Sequence, residues 1–484
     1  MLKKLMSLSG VILLASALII GLYPTIKTGY ASDSTEYSEM SFWKFMLPLG
    51  GARLHVNHPI GDGSRKNGEL KGLEKKGVEE PSMDATDSTE PMITSEFRYT
   101  IVDTNQTTSY DEMGFTMSTK PGDELYGQDA NYSGFQPSYQ DNGDGTVTDL
   151  NTGLMWQKDP GYKTTWSEAV SESINFRLGG YDDWRMPTIK ELYSLIQFSG
   201  IDPSPKSTDT SRLISFIDTD YFEFEYGNTD YGERIIDSQF ASITKYVSTT
   251  MRGDETIFGV NFADGRIKGY GLSDPRTKED KEFFVLYVRG NTDYGQNDYI
   301  DNGDGTVTDL ATGLMWMKND SGEINSDGGA MDWPTAIQWT EELKCSDYSD
   351  WRMPNAKELQ SIVDYTRSPA TTNSPAIDPV FNVTPIVDES GDVNYPFYWT
   401  STTHYNEHQG GANAVYVAFG EALGFMKDKR TNSYNLLDVH GAGAQRSDPK
   451  IGDSSAFEYG HGPQGDVVRI ENYVRAVRTV DDVE

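Results

Sequence analysis

Asp141-Asn-Gly-Asp-Gly-Thr-Val-Thr-Asp149-Leu-Asn-Thr-Gly-Leu-Met-Trp156 returns, with one change, as Asp301 to Trp316. A period that long is a whole domain, so the chain carries one design twice. Further blocks repeat in the same order. Trp166-Ser-Glu-Ala-Val170 answers to Trp333-Pro-Thr-Ala-Ile337, and Asp183-Trp-Arg-Met-Pro187 to Asp350-Trp-Arg-Met-Pro354, each followed closely by Lys-Glu-Leu. Val247-Ser-Thr-Thr250 reads as the counterpart of Thr400-Ser-Thr-Thr403. Two compact folds are expected, with function sought where the copies differ.

Inside each copy the local signals are direct. Asn142-Gly143 and Asn302-Gly303 mark tight turns. A Thr-Val-Thr strand, a Thr-Gly turn and a Leu-Met-Trp strand follow, which makes a small meander. Thr165 and Glu168 form a capping box ahead of Trp166, Ala169 and Val170, whose spacing predicts a helix face. Asp332 caps the equivalent helix, with Pro334 in its first turn. A second box, Thr188 with Glu191, opens a helix buried through Leu192, Leu195 and Ile196; its partner runs from Asn355 and Glu358 to Leu359, Ile362 and Val363. Late strands at Phe258–Phe262 and Phe284–Val288 are matched by Ala414–Phe419 and Asn472–Arg475. Strands, two helices, long loops and strands again predict an α+β fold, with strands from both ends of each copy paired in one antiparallel sheet.

Lys3 and Lys4, an apolar run from Leu5 to Tyr23 and the small-residue site at Gly29-Tyr30-Ala31 read as a secretory signal peptide over residues 1–31. An uncleaved anchor is the competing reading of the same run. Residues 32–96 read as a flexible segment: a short apolar cluster, Ser41–Pro48, precedes a Gly, Lys, Glu, Ser and Thr-rich linker at 61–96. The two copies then occupy 97–291, with its lead-in, and 295–480. Export is the expected localisation, secreted or at the cell surface, with no membrane span once the leader is removed. A net charge of −33 argues against nucleic acid and anionic lipid as partners and favours cationic ligands or divalent metal. Cys345 is alone, so no intrachain disulfide forms and no mechanism needing a cysteine pair is available.

Taken together, the Asp-Asn-Gly-Asp-Gly-Thr-Val-Thr-Asp, Thr-Gly-Leu-Met-Trp, Asp-Trp-Arg-Met-Pro and Tyr-Val-Arg motifs resemble the Lcl C-terminal domain, and do so twice. The lead-in stretches Gln106–Asp111 and Tyr126–Asn131 look like family sequence too. The resemblance implies two tandem C-type-lectin-like domains, each a small antiparallel sheet with two helices and long loops, related in fold to formylglycine-generating sulfatase modifiers. It implies a bacterial surface or secreted setting and adhesion to glycosaminoglycan-like or other extracellular polymers, without a catalytic site. Relatives often have Cys where Ser109 stands, which implies that a family disulfide is lost here.

The candidate sites carry competing readings. Asp141, Asn142, Asp144 and Asp149, repeated as Asp301, Asn302, Asp304 and Asp309, supply the oxygen ligands calcium takes. Their spacing breaks the EF-hand pattern, and a hairpin whose Asp and Asn bond their own backbone explains the same residues; calcium is the one cofactor considered. His404-Tyr-Asn-Glu407-His408 fits an inverted zinc-peptidase pattern. That chemistry needs a helix, whereas a strand precedes these residues and a Gly-Gly loop follows. The fold's sugar-binding triplets and cysteine chemistry are both missing from the sequence, so an enzyme is not expected. The Trp-Arg-Met-Pro blocks read as structure: Trp in the core, Arg on a nearby Asp or on carbonyls, Pro before a helix. The segments 199–245, 364–398, 266–283 and 427–470 differ between the copies, and function tends to sit on such loops. Tyr221, Tyr226, Tyr395, Tyr405 and His408 are therefore the candidate ligand contacts. The expected function is a non-catalytic adhesin or extracellular-matrix component that binds polysaccharide or a surface protein; the alternative is a structural or assembly protein working through protein contacts.

Overall fold

The computed structural model describes residues 97–204, 206–274 and 277–480. The leader and linker readings at 1–96 lie outside these residues. Tyr139–Asp141 (β1), Thr146–Asp149 (β2) and Leu154–Gln157 (β3) form the first meander. Its turn is possible because Gly143 adopts φ 75°, a left-handed conformation that costs glycine nothing. Trp166–Ser173 (α1) and Ile189–Ser194 (α2) each start on the expected capping box. The long strands Gln239–Thr250 (β4), Asp254–Asn261 (β5) and Arg266–Gly271 (β6) follow, and Val288–Gly290 (β7) closes the copy. β7 returns to pair with β3, placing Val288 opposite Trp156, so strands from both ends do share a sheet.

The second copy repeats this plan. Tyr299–Asp301 (β8), Thr306–Asp309 (β9) and Leu314–Met317 (β10) are its meander. Trp333–Glu342 (α3) and Ala356–Ser361 (α4) are its helices. Phe397–Asn406 (β11) and Gly410–Ala418 (β12) are long strands, and Leu423–Lys427 (β13) pairs with Tyr434–Asp438 (β14) as an added hairpin. Gln445–Pro449 (β15) completes the set, and Val477–Thr479 (β16) closes onto β10 with Val477 opposite Trp316.

The two copies do not fold as separate bodies. Their long strands join in one six-stranded sheet, β11-β12-β15-β6-β5-β4, with all pairs antiparallel. At the seam β15 meets β6, with Gln445 opposite Ile267. Beneath it the largest apolar cluster takes in Trp156, Leu192 and Phe240 from the first copy and Trp316, Leu359 and Val415 from the second, beside smaller clusters private to each copy. Helices α2 and α4 meet there and exchange lysines, half-buried Lys190 and buried Lys357. Lys190 Nζ donates to Ser361 O at 2.7 Å and to Asn297 Oδ1 at 2.8 Å. Lys357 Nζ donates to Ser194 O at 2.8 Å and to Asp103 O at 2.9 Å. Each lysine thus satisfies a carbonyl left open where the other helix ends. The lead-in crosses over as well: Gln106 Nε2 donates to Thr403 O at 2.7 Å, and Thr403 N donates back to Gln106 Oε1 at 2.8 Å.

Two sequence alignments shift. Trp166 Nε1 donates to Ser242 O and Trp333 Nε1 to Thr400 O, at 3.0 and 2.8 Å. Ile189 N and Ala356 N each donate at 3.0 Å, to Thr244 Oγ1 and Thr402 Oγ1. The true counterpart of Thr400–Thr402 is therefore Ser242–Thr244; Val247–Thr250 lies further along β4, beyond a register shift. Likewise Arg289 and Arg478 hold the equivalent aspartates Asp183 and Asp350, at 2.6 and 2.8 Å. The counterpart of Tyr287-Val-Arg289 is thus Ala476-Val-Arg478, not Tyr473-Val-Arg475.

Candidate functional site

The Trp-Arg-Met-Pro blocks are scaffold. Trp184 and Trp351 are buried, and their indoles donate to Leu178 O and Cys345 O. The arginines do not take an aspartate: Arg185 forks onto Glu191 at 2.8 and 2.5 Å, and Arg352 onto Glu358 at 2.6 and 2.5 Å. The same glutamates close the capping boxes, so one carboxylate fixes the arginine segment and a helix start together.

The Asp-rich turns bond to themselves. Asp141 accepts from Gly143 N and from Lys158, which lowers its pKa. Asn142 Nδ2 donates to Thr146 and Thr148, and Asp144 Oδ1 accepts from Thr146 N and Oγ1. Buried Asp149 accepts from Asn151 N and Thr152 N. Asp301, Asn302 and Asp304 repeat these bonds, with Lys318 on Asp301, and Asp309 accepts from Asp298 N and Ala311 N. Most of these oxygens are engaged in turn geometry, although Asp149 Oδ2 is buried without a hydrogen-bond partner. Among the described residues, no group of three or more His, Cys, Asp or Glu side chains is placed to hold a metal ion.

The zinc-like pattern comes apart in the same way. His404 lies buried in β11, with Nδ1 2.8 Å from Ser447 Oγ and Nε2 3.0 Å from Asp264 O. Burial, with the Arg266 guanidinium beside it, holds its pKa down to about 3. His408 is exposed beyond the strand end, beside Glu407 at 3.3 Å. The candidate tyrosines are scattered. Tyr221 packs on Tyr139 with ring centroids 5.5 Å apart, and Tyr226 meets Phe224 at 4.9 Å with its hydroxyl buried. Tyr405 lies on Tyr110 at 5.4 Å, and Tyr395 is half-buried. The structure does not gather these five residues into one site.

What it does gather is positive charge. The β13–β14 hairpin of the second copy leans on the edge of β4–β6 of the first, and Met251 N donates to Asp438 O at 3.0 Å across the junction. The cleft between them has a volume of about 430 Å³ and presents Arg252, Lys281, Lys427, Lys429 and Arg430 beside the Tyr270 ring. Two carboxylates, Asp254 and Asp428, share it. Cations thus outnumber carboxylates here, in a chain with 74 acidic and 41 basic residues. Local folding explains the placement. Met251, Arg252 and Gly253 all have positive φ, which turns β4 into β5 and carries Arg252 to the cleft. Asp428 holds the hairpin tip by accepting from Arg430 N at 2.8 Å. Lys427 lies 5.8 Å from the Tyr434 ring centroid, and burial lowers the pKa of Lys281. Such a cleft can hold an anionic ligand by several distributed contacts, with the half-buried Tyr270 ring in its wall. Parts of it come from the variable segments at 266–283 and 427–470. Lys427, Lys429 and Arg430 stand together in the sequence, but their convergence with Arg252 and Lys281 is invisible there because those two lie far away in the chain.

The Lcl C-terminal domain family model matches residues 145–289 and 305–439, which together make more than half of the chain. No curated protein and no solved structure matches the sequence.

Proposed function

We propose that this chain, which belongs to the Lcl C-terminal domain family, is an exported, non-catalytic binding protein that holds an anionic extracellular polysaccharide in its basic cleft. The role is that of an adhesin or matrix component, on a pair of C-type-lectin-like folds. The observation that carries the reading is the concentration of five cations and Tyr270 in one cleft of an otherwise acidic protein. A polymer bearing sulfates or carboxylates would be concentrated there, and screened from it as salt rises. Antiparallel sheets with helices and long loops support the lectin-like assignment. Because both copies contribute walls to the cleft, the polymer meets one composite site per chain. Two equivalent sites acting by avidity are not needed.

The test uses the full chain with heparin, hyaluronate and neutral dextran as probes. Heparin or hyaluronate should bind in a salt-dependent way, dextran should not, and Lys427→Glu with Arg430→Glu should weaken binding at least about tenfold with the melting temperature unchanged. Equal binding by the charge-reversed variant would remove the cleft from consideration. The assembly reading keeps one observation of its own, the exposure of Ile174 and Ile243 on the first copy.

A further inference from the structure

Each copy carries the same recess, where its first helix ends beside the Trp-Arg-Met-Pro segment. In the second copy it is framed by Arg352, Glu358, Glu341, Ser401 and Thr402, and the chain fills it with its own turn, Leu125–Tyr132. Asp129, 4% exposed, accepts from Thr402 Oγ1 at 2.5 Å and from Thr104 Oγ1 at 2.7 Å. Three residues on, the Tyr132 ring lies 5.4 Å from the Arg352 guanidinium, and its hydroxyl donates to Glu341 at 2.6 Å. Ser401, beneath the turn, is 1% exposed.

In the first copy the recess is open. It measures about 340 Å³ and is lined by Arg185, Thr188, Glu191 and Ile243, with Thr292, Tyr294 and Gln296 of the segment joining the copies along one side; Thr244, next to Ile243 in β4, is half-buried beside it. The Arg185 side chain is 32% exposed against 14% for Arg352. Ile243 stands where Ser401 does and is 37% exposed; Ile174, at the position of Glu341, is 72% exposed. Thr244 accepts from Ile189 N as Thr402 accepts from Ala356 N, which leaves its hydroxyl proton to donate. Two of the polar anchors, the arginine and the threonine hydroxyl, are kept, while the Glu341 acceptor is lost and the rim has become apolar and uncovered.

We infer that this open recess docks an acidic turn of another protein chain, with a carboxylate on the Thr244 hydroxyl and, three residues on, an aromatic ring over the Arg185 guanidinium. The replacement of Glu341 by Ile174 refines the ring. A tyrosine hydroxyl would lose its acceptor there, so phenylalanine fits better. The internal turn supplies the template for the partner, and the apolar rim supplies burial that the second copy lacks.

The probe is a labelled peptide of residues 125–132 carrying Tyr132→Phe, titrated by fluorescence anisotropy against the full chain. Saturable one-site binding is expected, weakened about tenfold by Asp129→Ala in the peptide, abolished by Ile243→Arg in the protein and unchanged by Lys427→Glu. Ile243 is exposed, so its replacement should leave the melting temperature in place; if it does not, Ile174→Arg carries the same test. Failure of the peptide to saturate at millimolar concentration would overturn the inference. So would binding that survives both substitutions, since the peptide would then be displacing the chain's own turn. Competition by a polysaccharide would overturn it as well, by making the recess a sugar site.

Discussion

Replacing Lys357 with Met tests the lysine exchange directly, because two opposing effects can be sized from the structure. The substitution leaves Ser194 O and Asp103 O without the donor that reaches each at 2.8 and 2.9 Å. Two buried carbonyls left unpaired cost about 2–6 kcal/mol. Against this, burial pulls the Lys357 pKa down to about 7, whereas an unfolded lysine titrates near 10.4. From about pH 7 to 10 the folded state therefore binds fewer protons than the unfolded one, and stability from this group rises with pH over that window. The wild type bears a cost of about 4 kcal/mol at pH 7 and about 2 kcal/mol at pH 9 for keeping the amine neutral. Lys357→Met should then fall within about 2 kcal/mol of the wild type at pH 7. At pH 9 the wild type should lead by about 2 kcal/mol more than at pH 7. Urea unfolding of both proteins at the two pH values, followed by tryptophan fluorescence, measures the difference while cancelling the other titrations. A gap that stays constant or shrinks as pH rises would refute the reasoning.

Asp129→Asn probes the opposite sign. Burial raises the Asp129 pKa to about 7, so its contribution is present at low pH and lost as pH rises toward 7; relative to the Asn variant, the wild type should lose about 2–3 kcal/mol between pH 5 and pH 8 in urea midpoints converted to free energy. Tyr221→Ala and Tyr226→Ala should each lower stability by about 2 kcal/mol in thermal melts, because the rings pack on Tyr139 and Phe224; unchanged melts would return them to the ligand candidates. Asp144→Ala and Asp304→Ala should each cost about 1–2 kcal/mol by freeing the Thr146 and Thr306 donors, and calcium or a chelator should leave the wild-type melting temperature unmoved. A calcium-dependent rise would revive the metal reading.

The strongest local signals in the sequence were also the most faithful. Thr188 with Glu191 and Asn355 with Glu358 fix helix starts within a few residues, so their signature needs no tertiary partner. The late strands were harder. Val247-Ser-Thr-Thr250 resembles Thr400–Thr403 as a string, but the hydroxyl that matters is the one that meets a helix start, and Thr244 provides it. The fused sheet left no trace, because the β6–β15 seam joins residues with no shared motif. The basic cleft was hidden by averaging: Arg252, Lys281 and Lys427 are distant in sequence, and a net charge of −33 argues against the ligand class that their convergence favours.

The crossing of the lead-in has a consequence for how the chain comes to be folded. Gln106 and Thr403 bond each other across 297 positions. Gln106 can reach Phe198 O within the first copy, but its bonds to Thr403 must wait until most of the polypeptide has emerged. Contacts of such range slow the search for the native state. A chain that cannot close early stays extended for longer, which would be compatible with the export proposed above. The same delay exposes strand edges such as β6 while the late strands are still missing, so truncation after residue 291 should yield aggregates rather than a half-sized native body.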